Sequence, residues 1–115
     1  MIEVAEGLRV NASIHAAERA LARVPELHGV HRDYASAWIE RVAGAALRDG
    51  RKALRCPRWC IRDDLDGFKR RGRAKRDGTL RFVWDEDETV VCLVRKVRDD
   101  QGEKVWLVQT VITPR

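Results

Sequence analysis

No run in the 115 residues approaches the roughly 18 to 20 consecutive apolar side chains that a membrane-spanning helix needs. The opening MIEVAEGLRV also lacks the apolar core of a signal peptide. Cysteine is scarce and odd in number. Cys56, Cys60 and Cys92 argue against a disulfide framework and for a reducing compartment. A cytoplasmic protein without a membrane partner is expected. There is no internal repeat and no low-complexity linker. Residues 1–115 therefore read as one domain, long enough to bury a core without disulfide or metal staples.

What is plentiful is positive charge on a well-patterned apolar framework. The apolar fraction is 44%, the formal charge is +5 and the pI is about 9.6, so an anionic partner is expected. Arginine outnumbers lysine 18 to 5. Its guanidinium suits bidentate phosphate contacts, although a GC-rich genome gives the same bias. The first half reads as helical. Ser13 to Val24 is a helix with Ser13 as N-cap and Ile14, Ala17, Leu21 and Val24 as its apolar stripe, ended by Pro25. ELHGVHRD is a loop. Asp33 caps a second helix at about Tyr34 to Arg48, whose apolar face is Ala35, Trp38, Ile39, Val42, Ala45 and Ala46, and Asp49–Gly50 stops it.

The second half alternates with period two. LRFVWD, TVVCLVRKV and KVWLVQTVI are strands, and the turns EDE and RDDQG make them an antiparallel meander. Ahead of them lies an irregular region. It has room for a short extra strand at Trp59 to Ile61 and a basic, flexible insert at about 63–79. The expected fold class is α+β, with two N-terminal helices packed on one face of a small antiparallel sheet.

The densest charge is Lys69, Arg70, Arg71, Arg73, Lys75 and Arg76, six cations in eight positions. Crowded cations repel one another, and an anionic polymer relieves that repulsion while shedding its counterions. Phe68 and Phe82 flank the run and offer stacking surface; the bland alternative is a solvated loop. His15 and Arg19 stand four apart on the first helix, on one face at the edge of the buried stripe. Histidine moves protons near neutrality and arginine steadies phosphate charge, but a boundary histidine bonding a loop fits the spacing equally. Cys56, Cys60, His28 and His31 do not have the usual zinc spacing. Asp63, Asp64 and Asp66 lack a calcium-loop pattern. No metal or other cofactor is expected. By alternation, Thr110 shares a strand face with Trp106 and Val108, where its hydroxyl bonds a neighbouring strand or reaches a ligand.

Taken together, HAAER at His15 to Arg19, the second amphipathic helix and the closing QTVITPR with Thr110 and Val111 resemble a set of small bacterial and phage proteins. These open with His-Ala-x-x-Arg and close on a strand bearing Thr-Val. They are similar to the RelE and BrnT toxins of the barnase–EndoU–colicin–RelE group of ribonucleases. The resemblance covers the order of elements over most of the chain, with a longer insert before the meander. It implies a toxin-like, metal-independent endoribonuclease in the cytoplasm of a bacterium or of a phage's host. His15 would act as acid or base, Arg19 would stabilise the phosphate and Thr110 would orient it. Arg81, Lys96 and the Lys69–Arg76 run would hold RNA. An antitoxin or host protein is the implied protein partner, and self-association is left open. Two alternatives stand beside it: a non-catalytic nucleic-acid-binding protein, and a phage-type interaction module that modulates a host target.

Overall fold

The structure, a computed structural model, describes residues 2–5, 8–53 and 80–113. The extra strand expected at Trp59 to Ile61, the insert at 63–79 and its Lys69–Arg76 run lie outside these residues. The chain begins with strands β1 (Ile2–Ala5) and β2 (Leu8–Ala12), then helix α1 (Ile14–Arg23), a 3-10 turn (Pro25–Leu27) and helix α2 (Arg32–Asp49). The short strand β3 (Lys52–Ala53) follows, and then β4 (Leu80–Trp84), β5 (Val91–Arg98) and β6 (Lys104–Ile112). The sheet order is β1-β2-β6-β5-β4-β3. The meander β4-β5-β6 is antiparallel, as its short turns require. Strand β2, however, lies parallel to β6, with Val10 opposite Trp106 and Ala12 opposite Val108. The α+β class is as expected, but the sheet is mixed rather than antiparallel. An N-terminal hairpin absent from the sequence reading supplies the parallel neighbour.

Both helices pack on one face of the sheet. That core joins Ala16, Ala20 and Val24 of the first helix, and Ala35, Ile39, Ala43, Ala46 and Leu47 of the second, to Val10, Val83, Cys92, Val94, Trp106, Val108 and Val111. On α1 the buried side chains are Ala16, Ala17 and Ala20, while Ile14 is 64% exposed. The stripe is thus turned toward the alanines, whose small side chains let the helix backbone lie close to β6. On α2 the inward face carries Glu40, Ala43, Gly44 and Leu47, while Trp38, Val42 and Ala45 sit at its boundary. A buried glutamate breaks the apolar pattern, so the face inferred from apolar residues alone is rotated. The cap of α2 is His31, not Asp33. Its Nδ1 accepts the Asp33 N–H at 3.0 Å. Gly50 ends the helix in the left-handed region at φ 79°, which glycine enters without a Cβ penalty.

A bulge decides which face the end of β6 shows. Leu93 pairs with Thr110 but Val94 pairs with Val108, so Gln109 is extra. An added residue reverses the alternation beyond it. Val111 therefore joins Trp106 and Val108 in the core beneath the helices, and Thr110 turns to the opposite face beside Leu93. This corrects the reading that put Thr110 on the face of Trp106 and Val108.

The bulge lies where β2 ends and α1 begins. Past Ala12, no strand among the described residues pairs with β6 on that side, and carbonyls left unpaired there are costly. The helix start supplies donors instead. The Ser13 N–H bonds the Val108 carbonyl at 3.0 Å, Ser13 Oγ donates to the Gln109 carbonyl at 3.3 Å, and Arg23 Nη1 donates to the Val111 carbonyl at 3.0 Å. Glu40, 6% exposed, accepts the Ala12 N–H at 2.9 Å through Oε2. These bonds fix the direction of α1. It starts level with Val108 and runs along β6 away from the β5–β6 turn.

Candidate nucleic-acid interface

Where β5 and β6 extend toward their connecting turn, positive side chains collect on the helix-bearing face. Alternation from Val94, a core residue of that face, places Lys96 and Arg98 on it. Arg98 pairs with Lys104 and Lys96 with Trp106, so Lys104 joins them. Arg81 pairs with Val94 and stands on the diagonal from Lys96. Lys96, Arg98 and Lys104 are exposed and line an open cavity of about 240 Å³ with Val97. The Lys96 ammonium lies 5.0 Å from the centre of the Trp106 ring, within cation–π range. Trp106 itself is only 8% exposed.

None of the four cations has an acid partner among the described residues. The Arg81 guanidinium donates to the Leu80 carbonyl at 2.6 Å, and that of Arg98 to the Gly102 carbonyl at 2.8 Å. Both bonds hold the side chains without neutralising them. The acids of the turn do not pair with these cations. Asp99 is taken by Arg9 at 2.6 Å and accepts the N–H groups of Gln101 and Glu103. Partial desolvation pushes the Asp99 carboxyl up, but those two N–H groups and the Arg9 guanidinium together hold it below the usual carboxylate value. Asp100 and Glu103 are exposed turn residues that form no ion pair among the described residues. Alternation also sends Arg95 to the far face, where its Nε is buried without a hydrogen-bond partner among the described residues.

His15 and Arg19 stand together on the first two turns of α1. Both are exposed, and Arg19 Nε donates to His15 Nε2 at 3.4 Å. Arg19 has no acid partner among the described residues. Because α1 runs away from the β5–β6 turn, its N-terminal end is the end nearer the cationic strip. Thr110 is on the other face of the sheet, and no hydrogen bond among the described residues joins it to His15 or Arg19. The expected trio is thus brought together only in part. Among the described residues no group of three or more histidine, cysteine and acidic side chains is placed to hold a metal. No described helix is long and apolar enough to cross a membrane.

Of the expected nucleic-acid contacts, Arg81 and Lys96 are neighbours on one face. Arg98 and Lys104 complete the strip and were missed. Their signal was present: Arg98 is two residues from Lys96, and the five-residue turn sets Lys104 opposite it. Known families, curated proteins and solved structures offer no match to the chain.

Proposed function

We propose that the protein binds nucleic acid through its phosphates, with RNA as the natural polymer. The observation that carries this reading is the set of four cations, Arg81, Lys96, Arg98 and Lys104, on one sheet face without acid partners among the described residues. Building such a set costs self-repulsion, which a polyanion relieves by counterion release. The sheet holds the strip rigid, so little order is lost on binding. The net charge of +5 adds long-range attraction. Fluorescence anisotropy with a labelled oligonucleotide tests it. Replacing Lys96, Arg98 and Lys104 together by glutamine is expected to weaken binding at least tenfold while leaving the circular dichroism spectrum unchanged. Unchanged affinity in that variant refutes the reading.

One contact favours a second reading, a metal-independent endoribonuclease. The His15 imidazole, joined through Nε2 to the Arg19 guanidinium at 3.4 Å and exposed with it, sets a proton-moving group next to a phosphate clamp. In that reaction Arg19 turns its N–H groups from His15 to the phosphate, the freed His15 Nε2 takes the proton of the 2′-hydroxyl, and the 2′-oxygen bonds to phosphorus. The bond to the 5′-oxygen then breaks, and water protonates the leaving oxygen. Arg19 balances the charge on the pentavalent phosphorus. Cleavage of cellular RNA in excess chelator by the wild type, and its loss in His15→Ala, supports this route. Absence of cleavage with binding retained leaves a binding protein.

A further inference from the structure

Resting on the binding reading, we infer that the polymer on this face is a single strand lying lengthwise along β5, held by its phosphates and read for no sequence. The cations form a narrow band, two on β5 and one on each neighbouring strand. Lys96 and Arg98 are two residues apart on one strand, about 6.7 Å, close to the spacing of successive phosphates in an extended chain. Lys104 is directly opposite Arg98, at about 5 Å between Cβ atoms, and Arg81 is diagonal to Lys96, at about 7–8 Å. The band thus reaches only one strand to either side of β5. A duplex presents two phosphate rows separated by a groove, and these cations serve only one of them.

The neighbouring architecture points the same way. On this face the helices cover Val94, Trp106 and Val108, next along the strands from the cations, and a helix with its side chains is about 10–12 Å across. The strip is therefore a ledge at the foot of a step. A flexible strand follows such a ledge, whereas a straight duplex meets the step.

The chemistry of the ledge also favours phosphate over base contacts. Its aromatic residue, Trp106, is 8% exposed and has the Lys96 ammonium over its ring, so it offers no open face for stacking. Strand alternation puts Phe82 and Trp84 on the opposite face. No asparagine or glutamine stands in the band to pair a base edge. What remains is lysine and arginine. Arg81 and Arg98 already donate to backbone carbonyls and so lack the free fork that reads guanine, which leaves charge, blind to sequence.

The experiment compares a labelled 12-nucleotide deoxy strand of mixed sequence, oligo-dT and oligo-dA of the same length, and the matching 12-base-pair duplex. Anisotropy is followed over a salt series. Deoxy probes have no 2′-hydroxyl, so cleavage does not intrude. The mixed single strand is expected to bind at least tenfold tighter than the duplex, and the two homopolymers within about threefold of each other. Lys96→Gln with Arg98→Gln should lower the slope of log affinity against log salt by about 1.4, at about 0.7 per phosphate contact on a single strand. The difference in slope between wild type and variant is insensitive to cations elsewhere, including the 69–76 run. Equal or tighter duplex binding overturns the single-strand inference but leaves the binding reading intact. A tenfold preference between homopolymers overturns the claim that no base is read. An unchanged slope in the variant removes the strand from β5. Absence of binding to every probe defeats the binding reading itself.

Discussion

Replacing Ser13 by alanine tests the junction on which both the helix start and the end of β6 depend. Ser13 Oγ accepts the Ala16 N–H at 3.0 Å and donates to the Gln109 carbonyl at 3.3 Å. Loss of an N-cap costs about 1 kcal/mol. The second bond is long for a hydroxyl donor and reaches a half-buried carbonyl, so its loss adds about 0.5 kcal/mol. The sum, about 1.5 kcal/mol, lowers Tm by about 6 °C in a domain of this size. Urea unfolding should show a lower midpoint with an unchanged m-value, because the buried surface is the same. Ser13→Asp separates the two parts. Its carboxylate keeps the cap and loses the donor, so it should give up about 0.5 kcal/mol. If Ser13→Ala costs less than about 0.5 kcal/mol, or Ser13→Asp costs as much as alanine, the junction is not held in this way.

Burial, with Asp85 adding to it, pushes the Cys92 thiol up to about 12 from 9.0. Between those values the unfolded chain holds fewer protons than the folded one, so stability falls as pH rises above about 9, by at most about 1.4 kcal/mol per pH unit. Urea unfolding at pH 8.5 and 10.5 should show a shallower decline in Cys92→Ala than in the wild type. Gly50→Ala should cost about 1 kcal/mol in urea unfolding through backbone strain alone, because a Cβ there meets no atom within 4 Å. The Asp99 carboxyl is held low, so its pairing with Arg9 is complete above the ordinary carboxylate range and is lost as pH falls through the lowered value. In an NMR titration, Arg9→Gln should move the Asp99 midpoint upward.

The elements legible in the sequence were those whose signal is local. Ser13 caps α1, Gly50 stops α2 and the period-two runs became β4, β5 and β6, since each depends on a few neighbouring residues. The N-terminal hairpin was less legible. Ile2–Ala5 and Leu8–Ala12 are four and five residues long, too short for periodicity to stand out. The parallel pairing of β2 with β6 joins residues about a hundred positions apart. His31 outdid Asp33 as the cap of α2 because any side-chain acceptor at that position serves. Glu40 was hidden for the opposite reason. A carboxylate is placed outside by composition rules, yet the exposed end of β2 provides the Ala12 N–H that brings it in.

The site was legible in its charges and illegible in its geometry, and the bulge at Gln109 explains much of the difference. Were Gln109 paired in a regular ladder, alternation from Trp106 would carry Thr110 onto the helix side, the side that bears His15. With the bulge, Thr110 pairs with Leu93 on the far face and Val111 takes the inward position. No feature of QTVITPR announces a bulge. It forms where β2 stops and Ser13 takes the place of a strand, which is a tertiary event. The strip from Arg81 to Lys104 lies on the turn side of that bulge, where alternation is unbroken from Val94 outward. There the register follows from one hairpin, and Arg98 and Lys104 follow from Lys96 by counting. A cation set fixed by an undisturbed hairpin tolerates changes at the helix end. Deleting Gln109 to remove the bulge should therefore disturb packing around α1 while leaving the salt slope of nucleic-acid binding within about 0.3 of the wild-type value, less than half of one phosphate contact. A drop of 0.7 or more would show that the helix end takes part in holding the strand.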